Sequence, residues 1–323
     1  MKAPARELGP QNVFMDRFVL EAKTQRVWRG PHAAWFTLMG VGGGLFIVTR
    51  LFGQETRVGS WVGASVSDVV SFVAIAAGGL ILIADLGRPM RFVRAVRNPR
   101  TSWISRGAIA DFVFLGAGIL LVLPALRLAG ARPFGSLPWD AGASDVGGKA
   151  LEWVALVAAA VVTFYAGQVL ASPRAIPYWH SAMIPAQWVL SSLSTSTAVL
   201  IVMEWANGAS VPAWQPSLEA GLLAGLLAAI AWHATRGADT PGKRESVDAL
   251  LRGRYRSAFI GGVVVAGTAL PLVLSAIGAL AGSSRPAIGL ATLVLLLPAG
   301  YALRLLTLRV GIFPPVRSLV PVR

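Results

Sequence analysis

Apolar stretches about 20 residues long recur along the chain, each closed by a short polar or basic segment. Twenty helical residues rise about 30 Å, the thickness of a bilayer's hydrocarbon core. Eight such stretches predict helices over 32–52, 62–84, 107–127, 150–171, 181–204, 214–233, 257–281 and 286–308. The stretches are continuous and do not alternate, which excludes a transmembrane β-barrel. Gly40, Gly42, Gly43 and Gly44 in the first stretch, Gly78-Gly79 in the second and Gly261-Gly262 in the seventh predict close helix approach. The predicted fold is all-α, a polytopic membrane protein of eight transmembrane helices. The helix count suggests two four-helix bundles, although no internal repeat is visible at the residue level. A terminal segment 1–31 and a tail 309–323 flank the membrane domain 32–308.

Composition agrees. The 323 residues are 55% hydrophobic and 14% charged, whereas a soluble chain is roughly a quarter charged. Cysteine is absent, so this chain alone builds no disulfide, thiolate metal site or iron–sulfur cluster. The only histidines are His32, His180 and His233. Two bis-histidine haems need four, and no helix-spaced pair supports one haem, so a haem-free chain is expected.

The net charge of +14 raises nucleic acid as a partner, but the basic residues lie in loops between spans, and none is expected. Of the 29 Lys and Arg residues, 23 fall on the side that carries both termini. The positive-inside rule makes that side cytoplasmic, in a bacterial inner membrane. No small-residue cleavage site precedes the first span, which is read as its own targeting signal. Segment 11–29 mixes Val13, Phe14 and Phe18 with Asp16, Arg17, Glu21 and Lys23, the pattern of a short helix lying on a partner or on the membrane.

Three strings lie between spans on the basic side: Asp85-Leu86-Gly87-Arg88-Pro89, then Asn98-Pro99-Arg100-Thr101-Ser102-Trp103 with Arg106-Gly107, and Ile176-Pro177-Tyr178-Trp179-His180-Ser181. Tyr165-Ala166-Gly167-Gln168-Val169-Leu170 precedes the last of these, and Pro185 follows it. With Trp35 and Gly40 to Gly44, these ordered motifs resemble the NrfD/polysulfide-reductase family of membrane subunits over roughly residues 30–200. The resemblance implies a membrane anchor for a molybdopterin catalytic subunit and a four-cluster ferredoxin-like iron–sulfur subunit. It implies a quinone (menaquinone or ubiquinone) bound at the membrane face next to the iron–sulfur partner, and no haem. With the termini cytoplasmic, the complex would face the cytoplasm, as in a formate- or sulfite-dehydrogenase-like enzyme.

A quinone headgroup needs donors for its carbonyl oxygens, apolar walls and a proton route. The resemblance assigns Tyr165 to the pocket and places His32 near the headgroup. The plainer readings are a buried tyrosine with a helix partner and a solvated interfacial histidine. Trp35 either walls the pocket or joins the interfacial aromatic belt. Asp85 either relays protons or forms an ion pair with Arg88, Arg91 or Arg106. Arg106 orients either the headgroup or its own loop. His180 is a second headgroup contact, and His233 is read as interfacial. Arg88, Arg91, Arg94, Arg97 and Arg100 form a basic stripe for the iron–sulfur subunit or anionic membrane lipid.

Carboxylates inside membrane spans are costly and point to function. Asp111 is placed to feed protons to the pocket. Asp68, Glu152 and Glu204 lie nearer the other face. Either they extend a transmembrane proton path or, for Glu152 and Glu204, they are solvated at helix ends. Two other functions stay open: an eight-helix solute transporter or permease, and a purely structural anchor.

Overall fold

The computed structural model describes residues 23–85, 96–236, 240–282 and 285–314. The predicted helix in segment 11–29 lies mostly outside these residues, as do Arg88, Arg91 and Arg94. Strand β1 (Lys23–Thr24) leads into helix α1 (Gly30–Leu51). A two-strand turn, β2 (Ser60–Trp61) and β3 (Ala64–Ser65), precedes α2 (Val66–Asp85). Then follow α3 (Trp103–Val122, prolonged by the 3-10 turn Leu123–Ala125), α4 (Val146–Ala171), α5 (Met183–Ala206) and α6 (Trp214–Arg236). Helix α7 (Pro241–Leu251) is short. Helix α8 (Ser257–Leu280) is π-wound over Ser257–Ala269, and α9 (Pro286–Arg309) leads to β4 (Ile312–Phe313). Among the described residues, eight of these helices are long and apolar enough to cross a membrane.

The predicted spans match these helices to within a few residues. Helix α3 starts earlier than predicted because Ser102 caps it, its Oγ accepting the Ser105 N–H at 3.3 Å. Helix α7 was not foreseen. Its 11 residues are too few and too polar to cross a bilayer.

Helices α1 to α4 pack together, and α5, α6, α8 and α9 form a second group. Helix α1 is the hinge between them, touching α2, α4, α5 and α9. Its glycines permit this: a Cβ on Gly43 would stand 2.9 Å from the Ala159 carbonyl oxygen, and one on Gly44 would stand 2.6 Å from Ser196 Oγ. The expectation for Gly261-Gly262 is corrected. Both face open space, and it is Gly267 that meets α9, where a Cβ would lie 2.0 Å from that of Ala299.

Both ends of the described chain meet on one face, as an even number of spans requires. Strands β1 and β4 pair antiparallel, Lys23 opposite Phe313 and Thr24 opposite Ile312. The last carbonyls of α9, which a helix leaves without internal partners, are taken up from outside. Trp179 Nε1 donates to the Thr307 carbonyl at 2.8 Å, Gln25 Nε2 to that of Leu308 at 2.8 Å, and Ser246 Oγ to that of Val310 at 2.6 Å. This explains the Tyr178-Trp179 string. Both aromatics are buried, Trp179 as a clamp on α9.

Candidate functional site

On the face where the described chain begins and ends, α1, α2, α3 and α4 bring five of the predicted site residues together. His32 sits in the first turn of α1, its ring edge-on to Trp28 at 4.9 Å. The Arg29 N–H donates to His32 Nδ1 at 3.4 Å. That leaves the proton on Nε2, which lies 3.5 Å from Asp85 Oδ2 at the end of α2. The His32 side chain is 13% exposed and the Asp85 side chain 43%, so this pair runs from the protein interior to water.

One turn deeper the surroundings are aromatic. Trp35 stacks on Phe36 at 4.3 Å, and Phe36 on Trp28 at 5.8 Å. The Trp35 ring lies 6.3 Å from that of Tyr165, and both side chains are buried. The Tyr165 hydroxyl donates to Asp111 Oδ2 at 3.3 Å. Asp111 Oδ1 is buried without a hydrogen-bond partner, and the Trp35 indole N–H lies against the Tyr165 hydroxyl outside hydrogen-bond geometry. Buried polar atoms are rarely left unmatched, so this cluster has spare hydrogen-bonding capacity.

Two glycines of the motifs shape this cluster. Gly107 on α3 bears directly on the Tyr165 ring, and a Cβ there would lie 2.1 Å from Cε2. Two residues after Tyr165, Gly167 admits α5, where a Cβ would meet Pro185 Cα at 2.4 Å. The Arg-Gly, Tyr-x-Gly and Pro185 elements thus build one three-helix junction.

Other predicted residues are placed elsewhere. Asp85 pairs with His32 and not, among the described residues, with Arg106. Arg106 folds back on its own loop, donating to the Pro99 carbonyl at 2.8 Å and the Arg100 carbonyl at 2.9 Å, over the Trp103 ring. Arg97 and Arg100 are exposed beside it. His180 precedes α5, and its Nδ1 bonds the Ala171 carbonyl at 2.7 Å, tying the loop to the end of α4.

Asp68 and Glu204 lie at the far ends of their helices, each beside an arginine. Asp68 is buried against Arg50, which also reaches Glu152 at 3.5 Å and Glu55 at 3.9 Å. Glu204 meets Arg57 at 3.2 Å. Arg50, Glu55 and Asp68 line an open cavity of about 850 Å³ on that face, with Arg127, Arg132 and Asp140.

Three buried polar groups escaped the sequence reading. His233 is not interfacial but 3% exposed, 4.6 Å from the Tyr178 ring and roofed by Val247, Leu250 and Leu251 of α7. Burial holds the Tyr178 phenol above its ordinary pKa. Arg304, one of the 23 cations counted on the side of the termini, is wholly buried inside α9. It donates to the Gly300 carbonyl at 2.9 Å and to Ser192 Oγ at 2.6 Å, over the Trp188 ring. Glu219 is buried beside the Ser275 and Thr292 hydroxyls. Composition could have flagged Glu219 and Arg304 as charges inside apolar runs. For His233 the cover is a helix that hydropathy does not reveal.

Among the described residues no group of three or more His, Asp or Glu side chains is set to hold a metal ion. No curated protein matches the chain significantly. A family model does: residues 19–313 match that described as polysulphide reductase, NrfD. That family supplies membrane anchors of molybdopterin oxidoreductases. The match spans all the helices described above, and the chain belongs to the NrfD (polysulphide reductase) family.

Proposed function

We propose that this chain is the quinone- and quinol-binding anchor of a three-subunit oxidoreductase. Its partners are a four-cluster ferredoxin-like iron–sulfur subunit and a molybdopterin catalytic subunit. Electrons pass directly between quinone and the iron–sulfur subunit, on the cytoplasmic face of a bacterial inner membrane. The observation that carries the proposal is the joining of two polar pairs, His32–Asp85 and Tyr165–Asp111, around the buried Trp35 at one membrane face.

The residues fit a quinone headgroup. Trp28, Trp35 and Phe36 give flat apolar walls, and the unmatched Asp111 Oδ1 and the Trp35 N–H leave polar capacity for a ligand. A bound menaquinone or ubiquinone would supply two-electron, two-proton chemistry. The protein supplies the rest. Tyr165 orients a carbonyl oxygen through its hydroxyl, and Asp111 holds the proton that Tyr165 Oη gives up or receives. His32 presents its Nε2–H to Asp85 Oδ2, and the half-exposed Asp85 carboxylate is the group that exchanges protons with water. The aromatic walls exclude water, which strengthens each of these interactions. Arg106 holds the 98–106 loop in place, and Arg97 and Arg100 face the iron–sulfur subunit. His180 takes no headgroup role in this reading; its Nδ1 ties the 172–182 loop to the Ala171 carbonyl. Asp68 and Glu204, each held by an arginine, act as ion-pair partners, and proton delivery rests on Asp111.

The test is quinol-dependent turnover in the assembled complex. Tyr165→Phe and His32→Ala lower it about a hundredfold, while the primary substrate still reduces an artificial acceptor at the wild-type rate. Unchanged quinol turnover in both variants overturns the proposal. Loss of both activities with loss of assembly assigns the residues to structure.

A further inference from the structure

A second feature on the same face is a groove of about 440 Å³ lined by Arg26, Arg29, Arg254 and Arg309, with Trp28 and Tyr255. No Asp or Glu lines it, and none of the four arginines pairs with a carboxylate among the described residues. Two of the arginines are braced. Arg29 Nε donates to the Arg26 carbonyl at 2.9 Å, and the Arg254 guanidinium lies 4.6 Å from the Tyr255 ring centre. Four like charges brought to one groove repel one another unless an anion joins them.

The level of the groove identifies the anion. Gly30 is the first residue of α1, Arg309 the last of α9, and Tyr255 lies two residues before α8. Phospholipid phosphates sit at this depth, where tryptophan and tyrosine also gather. Further into the membrane, the second turn of α8 carries Gly261 and Gly262, which have nothing within 4 Å of a built Cβ, followed by Val265 at 53% exposure. These residues leave open apolar surface on the helix that starts two residues after Tyr255 of the groove.

We propose that the groove binds the phosphate of an anionic phospholipid, with its acyl chains lying along the glycine face of α8. Arginine forks match phosphate oxygens, and basic pockets at helix ends recognise such headgroups. The proposal does not depend on the quinone reading, because Arg254 and Arg309 belong to neither polar pair.

The test uses the complex isolated from its own membrane in mild detergent, with retained lipid measured by native mass spectrometry. The wild type keeps an anionic phospholipid through detergent exchange. Arg254→Gln with Arg309→Gln weakens its retention about thirtyfold, whereas Arg174→Gln, at an exposed loop residue outside the groove, leaves it unchanged. Arg309→Lys, which keeps the charge, and Arg254→Gln alone, which alters only an exposed loop, give intermediate retention and guard against misfolding. Equal retention in the double variant and the wild type overturns the proposal. So does inorganic phosphate that stabilises the delipidated complex as well as anionic vesicles do, which would make the groove a free-phosphate site. Loss of the iron–sulfur subunit in the double variant with lipid unchanged also overturns it, giving the groove to a protein partner.

Discussion

Gly107 and Tyr165 form a pair in which one residue exists to admit the other. The ring of Tyr165 occupies the space that a Cβ at Gly107 would take, with 2.1 Å to Cε2. The Arg-Gly step at the head of α3 and the tyrosine deep in α4 are therefore one device, although 58 positions separate them.

Gly107→Ala tests this device. The ring must leave its position, and with it the bond from its hydroxyl to Asp111. Overpacking of this kind costs about 1–3 kcal/mol. Thermal unfolding in detergent should fall accordingly, and quinol turnover should fall with it. Tyr165→Phe in the Gly107→Ala background should add little further loss of turnover, because the hydroxyl is already misplaced.

Arg50 and Asp68 make a buried pair at the opposite end of α1 and α2. Arg50→Met leaves a buried carboxylate without its partner and should destabilise by about 3–5 kcal/mol, while Arg50→Met with Asp68→Asn should recover most of that loss. Quinol turnover, corrected for the amount of folded complex, should not change. A turnover defect in the stable double variant would instead place Asp68 on a proton route.

Trp179→Phe keeps an aromatic ring, though a smaller one, and removes the donor to the Thr307 carbonyl. A buried acceptor left unmatched costs about 1–3 kcal/mol. Hydrogen exchange should quicken in the last turn of α9 and in β4, with the far end of that helix unaffected.

Asp145 caps α4 outside the membrane, its Oδ1 accepting the Gly148 N–H at 2.8 Å. That bond to the carboxylate holds the group below its ordinary pKa of 3.8. A depressed carboxyl pKa gives stability that is present above the unfolded value and lost as pH falls through the folded one. Asp145→Ala should therefore lower the unfolding temperature at neutral pH. The gap to wild type should narrow only in acid below 3.8.

The eight spans were legible because hydropathy reports directly what lipid tolerates. The glycines of α1 were legible as a stripe, but Gly261-Gly262 carry the same letters and meet no helix. A glycine permits close approach without requiring it, and the partner that decides, Ala299 opposite Gly267, lies elsewhere in the chain. Tyr165, His32 and Trp35 were found through motif resemblance, and the structure gathers them. Their pairing was not legible, because Asp111 and Asp85 come from other helices. His233 was misread because α7 buries it with only 11 residues. Arg304 drew no reading of its own, because a count of cations by side says nothing of where a side chain points; it bonds inward to Gly300, Trp188 and Ser192.

The clasp between the two chain ends bears on biogenesis. His32 stands seven residues after Gln25, and the Gln25 side chain is fixed by the Leu308 carbonyl near the close of the last helix. The start of α1 thus takes its shape in part from the close of α9, which is made after it. A ribosome-bound intermediate with α1 to α4 inserted would already hold Tyr165 and Asp111, yet would lack a fixed doorway until α9 arrives. Under the proposed function, an intermediate that lacks α9 would therefore not offer a finished site to a quinone.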